Sequence, residues 1–274
     1  MHLSISVRAL CEFSARAGDL DLRFTPAPSA TQGVQVHQQV QRKRQAASPT
    51  YQAEVPLRGL WQDLDVRGRA DGYEPATRTL EEIKTWRGDM HTIKASQRAL
   101  HWAQARMYGH LLCVRDGLSK IRLALVYFNI STGQEHVLHE DCSASELQAF
   151  FELQCQRFAD WAHSEAAHRA ARDAGLKQLQ FPLGSFRTSQ RELSVAVYRQ
   201  ARVPDKGQCL LAQAPTGIGK TMGTIFPMLK ACPDAGLDKL FFLTAKGTGH
   251  ALALQALALI NTALQQQAQP PVRV

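Results

Sequence analysis

Apolar and polar positions alternate with period two at YQAEVPL (residues 51–57), LDVRGRADGY (64–73) and TLEEIKTW (79–86), with turn residues between the runs. Two further short runs, KIRLALVYFNI (120–130) and EHVLHEDC (135–142), stand on either side of the turn STGQ. Each run predicts a strand, and DLDLRF (19–24) predicts another ahead of the Pro- and Ser-rich loop TPAPSATQG. Pro56 has no N–H to donate to a ladder, so its strand belongs at an edge or a bend. Helical spacing marks VQVHQQVQRKR (34–44) and ASQRALHWAQARMYGHLLC (95–113). A capping pattern, Ser143-x-x-Glu146, opens a long helix running to about Lys177.

These elements organise the chain. Residues 1–142 read as an α+β domain and 143–180 as a helical linker. Residues 181–274 read as the start of an α/β unit, in which the apolar run CLLAQ (209–213) and the run DKLFFLTAK (238–246) are expected as parallel strands. Composition adds limits. Of 274 residues, 45% are hydrophobic and 20% charged, as in ordinary globular domains. No apolar run reaches the ~18 residues of a membrane helix, and no signal-like head opens the chain. The six cysteines show no CxxC pairing, which predicts reduced thiols and a cytoplasmic protein. The net charge of +8 suits a polyanionic partner such as DNA, and Arg42, Lys43 and Arg44 form the densest basic run beside the candidate site below.

Chemistry enters with the strand TLEEIKTW. Leu80, Glu82 and Lys84 share one of its faces. If the hairpin turn is centred between Ala76 and Thr77, Asp71 stands directly across from Glu82. Opposed residues lie about 4.5–5.5 Å apart at Cβ, so two carboxylates there repel unless a cation stands between them. A Mg²⁺ or Mn²⁺ ion held by Asp71, Glu82 and the main-chain carbonyl of Ile83 meets that need. It would neutralise phosphate charge and acidify a bound water. Lys84, one step along the same face, is placed to orient that water.

At these residues the chain resembles the PD-(D/E)xK nucleases, whose Asp…Glu-x-Lys signature matches Asp71, Glu82 and Lys84. On the following helix Gln97, His101, Gln104 and Tyr108 fall in one stripe. Gln104-x-x-x-Tyr108 is similar to the Q-x-x-x-Y element of the RecB-like branch, which implies catalytic roles for both. Upstream, GVQVH resembles that branch's Gly…His element and implies His37 as a further metal ligand, although Val36 stands where relatives often have glycine. Taken singly, a Glu–Lys pair on a strand, a lone His or a polar helix stripe has an ordinary structural explanation. Their occurrence in the family's order, in strand–strand–helix context, is what carries the resemblance. The cysteine cluster of some RecB-like nucleases is absent.

Further along, Ala214, Pro215, Thr216, Gly217, Ile218, Gly219, Lys220 and Thr221 fit the phosphate-binding loop [AG]-x-x-x-x-Gly-Lys-[Ser/Thr]. The glycines let main-chain N–H groups turn toward phosphates, Lys220 would reach the β/γ-phosphates and Thr221 the Mg²⁺ of bound ATP. The flanks resemble an XPD/DinG-type superfamily-two helicase. Gln190 stands where such helicases read adenine, and Thr244 and Lys246 stand where their motif Ia meets the DNA backbone. The resemblance implies a DNA-repair helicase fused behind a RecB-like nuclease. No Walker B acid, second RecA-like domain or iron–sulfur cysteine set follows before PPVRV. The chain is therefore expected to be the N-terminal part of a longer protein that would carry the cluster, and by itself to lack useful ATPase or unwinding activity. Two other readings stay open: a non-catalytic DNA-binding module ahead of a P-loop ATPase, and an unrelated P-loop ATPase with a regulatory N-terminal domain.

Overall fold

The structure is a computed structural model and describes residues 3–18, 29–88, 92–203, 209–245 and 247–273. The strand expected at 19–24 lies outside the described residues. The chain divides into two compact units, Met1–Ala162 and His163–Val274.

In the first unit, the described strands β1 (Leu3–Ser6), β2 (Gln52–Trp61), β3 (Leu64–Glu74), β4 (Thr79–Trp86), β5 (Lys120–Asn129) and β6 (Glu135–Ser143) form one mixed sheet. Its order is β1-β3-β4-β5-β6, with β2 along the other edge of β3. The β2–β3, β3–β4 and β5–β6 pairs are antiparallel, as short turns permit, whereas β1–β3 and β4–β5 are parallel. A parallel pair needs a crossover, and helix α3 (Ala95–Asp116) supplies the one from β4 to β5. Pro56 lies on β2, which pairs with β3 alone among the described strands and so forms an edge.

The helices cover both faces of the sheet. Helix α1 (Val7–Ser14), α3 and the start of α4 (Ala144–Gln178) bury Leu10, Leu112 and Leu147 against Leu64, Leu80, Leu123 and Leu125. On the other side α2 (Ala30–Ala47) places Val36 and Val40 against Ile83, Val126 and Phe128. This two-sided cover explains why Leu123 through Tyr127 of β5 are all buried, an unbroken apolar run and not an alternation. Sequence signals set the helix ends. Ser29 and Gln32 form a reciprocal capping box on α2. Ser143 and Glu146 do the same for α4, with the Glu146 N–H donating to Ser143 Oγ at 3.2 Å and the Ser143 N–H donating to Glu146 Oε2 at 2.9 Å. Gly117 ends α3 in the left-handed conformation at φ 65°.

The second unit holds the rest of α4 with α5 (Gln190–Ala201), α6 (Lys220–Ala235) and α7 (Gly247–Gln266). Its core joins Leu176 and Leu179 to Met222, Ile225, Phe226, Leu229, Ile260 and Leu264. Phe181 stacks on Phe186 at 3.9 Å between ring centres and meets Phe226 edge-on. The expected strands CLLAQ and DKLFFLTAK do not form among the described residues, so the α/β expectation for this unit is corrected to a helical one. A lone apolar run becomes a strand only when neighbours complete its ladder, and no described strand of this unit offers one. Leu211, Phe241 and Leu243 are left 92%, 81% and 89% exposed. Among the described residues no helix is long and apolar enough to cross a membrane.

The pairing of β3 with β4 makes one residue critical. The Tyr51 hydroxyl occupies the position that a Cβ on Gly72 would take, and it donates to Glu81 Oε2 at 2.8 Å, so it is not free to swing away. Gly72→Ala should therefore destabilise the first unit by about 1–3 kcal/mol through overpacking. A urea denaturation midpoint equal to wild type would show that this contact is loose.

Candidate active site

The site forms where the edge of β3 changes partner. β1 pairs with Leu64–Arg67 of that edge, and β4 pairs with Gly72–Glu74. Residues 68–71 lie between the two ladders, at a fork in the sheet. The last β3–β4 pair is Gly72↔Glu81, which makes Asp71 the next residue along from Gly72 and Glu82 the next from Glu81. This is the register that a turn centred between Ala76 and Thr77 predicts. The ladder ends because the Asp71 carboxylate itself accepts the Ile83 N–H, Oδ2 to N 2.7 Å.

Three elements converge on the fork. From α2, His37 Nδ1 lies 3.3 Å from Asp71 Oδ1. From β4, the Lys84 ammonium donates to Glu82 Oε1 and also to Gln104 Oε1 of α3 at 2.8 Å. One turn further along α3, the Tyr108 ring fills the space beside Gly68, within 2.8 Å of where a Cβ would stand. The stripe read from helical spacing faces the sheet as a whole: Gln97, Gln104 and Tyr108 are buried, and His101 Nδ1 lies 2.9 Å from the Tyr127 hydroxyl. His37, Asp71, Glu82, Lys84, Gln104 and Tyr108 are thus brought together.

Electrostatics follow from burial. Glu82 is 4% exposed, and loss of water pushes its carboxyl up to about 7; Lys84 opposes this and Asp71 adds to it. Glu82 Oε2 has no hydrogen-bond partner among the described residues. At His37 burial disfavours the charge, but the hydrogen bond and charge of Asp71 outweigh it and raise the imidazole above its usual range. Burial lowers His101 to about 3 and keeps it neutral. Burial also raises the Tyr108 hydroxyl, so it stays protonated.

A buried carboxylate oxygen without a donor, beside a second carboxylate and an imidazole, is a donor set for a hard divalent cation. Asp71, Glu82 and His37 could hold it, with the Ile83 carbonyl in the same strand. Among the described residues no three His, Cys, Asp or Glu side chains are already gathered round one point. The reason is visible in the pairing: His37 turns to Asp71, and Glu82 is clamped by Lys84. Each carboxylate has a basic side chain of the protein beside one of its oxygens.

The basic run is partly engaged within the protein. Arg44 donates to Glu81 at 3.0 Å and to Glu135 at 2.6 Å, and Lys43 donates to Glu135 at 2.7 Å. These two cations neutralise acids of the sheet, which leaves Arg42, exposed, as the member not so placed. Several neighbours escaped the sequence reading. Gln41 and Tyr51 carry no charge at neutral pH and so gave no chemical signal, though Gln41 stands four residues after His37, one helical turn away. Cys11 lies close enough to Glu82 and Lys84 to feel both charges; its thiol, raised to about 12 chiefly by burial, is an inert filler.

In the second unit, Gly217 and Gly219 take positive φ values, 88° and 81°, which glycine adopts without strain. Lys220 begins α6 and its ammonium donates to the carbonyls of Ala214 and Pro215 at 2.8 and 3.1 Å. Gln190 is buried against the loop. Its amide donates to the Gly219 carbonyl at 3.0 Å, and Arg187 donates to the Gly217 carbonyl at 2.7 Å. Thr221 lies in the first turn of α6, and Thr216 and Ile218 lie in the loop. Thr244 is exposed, and Lys246 lies outside the described residues.

The raised Glu82 carboxyl fixes the sign of a pH effect. The folded protein keeps a proton that the unfolded chain releases near 4.5, so stability falls as pH rises from about 4.5 to about 7. Glu82→Gln removes this penalty. In chelator-treated protein the variant should gain at least about 1 kcal/mol on wild type across that window, measured by urea unfolding at each pH. A difference that does not change with pH would contradict the buried, uncompensated carboxylate.

No protein-family model matches the chain, and no curated protein matches it. Among solved structures, the crystal structure of SSO0001 aligns with 57% of this chain and 77% of its own, at 19% identity and a TM-score of 0.37. The crystal structure of a phage-related exonuclease from Haemophilus somnus 129PT aligns with 61% of this chain and 97% of its own, at 12% identity and a TM-score of 0.37.

Proposed function

We propose that the first unit is a divalent-metal-dependent DNA nuclease of the RecB-like PD-(D/E)xK type. One observation carries the reading: Asp71, Glu82 and Lys84 meet at the fork between β3 and β4, and Glu82 Oε2 is buried there without a partner among the described residues. A Mg²⁺ or Mn²⁺ bound there supplies Lewis-acid stabilisation of the phosphate and a water of lowered pKa. Asp71, Glu82 and His37 would hold the ion. Lys84, whose ammonium donates to Glu82 Oε1 and Gln104 Oε1, would be the cation at hand to orient a water and to offset charge building on the phosphate. Tyr108 closes the fork from the α3 side. The substrate is DNA, in keeping with the net charge of +8.

A second activity is inferred for the second unit. The loop Ala214–Thr221 binds the phosphates of ATP, as the opening of an XPD/DinG-type helicase motor. The positive φ of Gly217 and Gly219 and the place of Lys220 at the start of α6 support this reading, whereas Gln190 is buried with both ends of its amide on the protein, Nε2 donating to the Gly219 carbonyl and Oε1 accepting from the Arg187 N–H.

The nuclease test is Mn²⁺-dependent degradation of end-labelled linear DNA. Lys84→Ala should lower the rate by at least about 10²-fold, the usual size of a lost proton-handling group, while DNA binding changes little. Cleavage by Lys84→Ala at the wild-type rate would sink the assignment. For the second unit, a fluorescent ATP analogue should bind wild type and bind Lys220→Ala far more weakly. Equal binding by both would remove the phosphate-loop reading and leave the nuclease untouched.

A further inference from the structure

Asp71 is cut loose from its sheet on both sides. On one edge the β3–β4 ladder stops at Gly72↔Glu81. On the other, β2–β3 pairing runs through Ala53↔Gly72 and resumes at Val55↔Ala70, which leaves Glu54 and Asp71 out of the ladder. Glu54 sits at this break with φ 53°, a left-handed conformation that costs a non-glycine residue energy. A main-chain carbonyl released from a ladder in a half-buried place needs another donor. Gln41 provides it. The Gln41 side-chain amide donates to the Asp71 carbonyl at 2.9 Å and to Glu54 Oε1 at 2.9 Å, and Gln41 is 5% exposed.

Gln41 stands one helical turn beyond His37, and Arg44 follows nearly a turn later on the same side of α2. The helix therefore grips the fork at successive points. His37 reaches the Asp71 carboxylate, Gln41 the Asp71 backbone, and Arg44 the Glu81 carboxylate on the neighbouring strand. The Asp71 side chain alone can swing about its own bonds. With its carbonyl tied to the helix that bears His37, the imidazole and the carboxylate are set as a unit.

We infer that Gln41 is a positioning residue: by replacing the missing ladder bond at Asp71 it fixes the spacing of Asp71 and His37 for divalent-metal binding. The inference rests on the nuclease reading. Residues that orient metal ligands from behind are worth about 10–100-fold in metal affinity or activity. Gln41→Met keeps length and apolar bulk and removes the amide.

The experiment is calorimetric titration of Mn²⁺ into the full chain at one pH, for wild type, Gln41→Met and Glu54→Ala. Asp71→Asn serves as the control that identifies the site. Gln41→Met should bind Mn²⁺ at least about tenfold more weakly, and high Mn²⁺ should return its DNA cleavage to near the wild-type maximal rate. A residue of merely structural importance would lower the maximal rate without that rescue. Glu54→Ala, at a half-exposed side chain, should shift affinity in the same direction by less, and it decides the matter if Gln41→Met fails to fold. Wild-type affinity in both variants overturns the positioning role and leaves the nuclease reading standing. Absence of Mn²⁺ binding by wild type overturns both.

Discussion

A carboxylate removed from water must find a cation or keep its proton, and Glu82 is where this protein meets that demand. The side chain sits on β4 between the α3 face and the opening of the β3–β4 ladder, with one oxygen on Lys84 and the other without a partner among the described residues. Almost everything near it can be understood as a response. Lys84 takes one oxygen. Gln104 anchors Lys84 from α3. Asp71 spends an oxygen on the Ile83 N–H, which ends the ladder and keeps the fork open.

A second layer of charge lies behind this one and does different work. Glu81, one residue from Glu82 and on the opposite face, is buried, paired with Arg44 and hydrogen-bonded to Tyr51. That pair is complete, whereas the Glu82 side is not. Satisfying one carboxylate fully within the protein while leaving its neighbour short of donors separates a structural role from a chemical one. It also explains why α2 is held so firmly: Arg44, Gln41, Val36 and Val40 all fasten it over the strand that carries the site.

Much of this was legible in the sequence because strand geometry is rigid. Period two and a short turn were enough to set the register that ends at Gly72↔Glu81 and brings Asp71 near Glu82, though not to foresee that Asp71 leaves the ladder to accept the Ile83 N–H, and the i, i+4, i+7, i+11 stripe was enough to aim Gln104 and Tyr108 at the sheet. The ion pairs of the basic run were not legible, because it is the pitch of α2 that turns Arg44 inward over Glu81. Gln41 was silent because an amide acquires meaning only when a backbone carbonyl has lost its ladder, and a break at Glu54 and Asp71 leaves no mark on hydropathy. The runs CLLAQ and DKLFFLTAK failed for the opposite reason. Their composition is right for a buried strand, but strand formation depends on partners that local sequence does not specify.

Anomalous diffraction from crystals equilibrated with Mn²⁺ shows where the ion binds. A metal held by the fork gives a single strong peak there, bonded to Glu82 Oε2 and Asp71 with His37 beside it. A peak elsewhere, or an empty fork with Glu82 still closed on Lys84 at saturating Mn²⁺, would contradict that site.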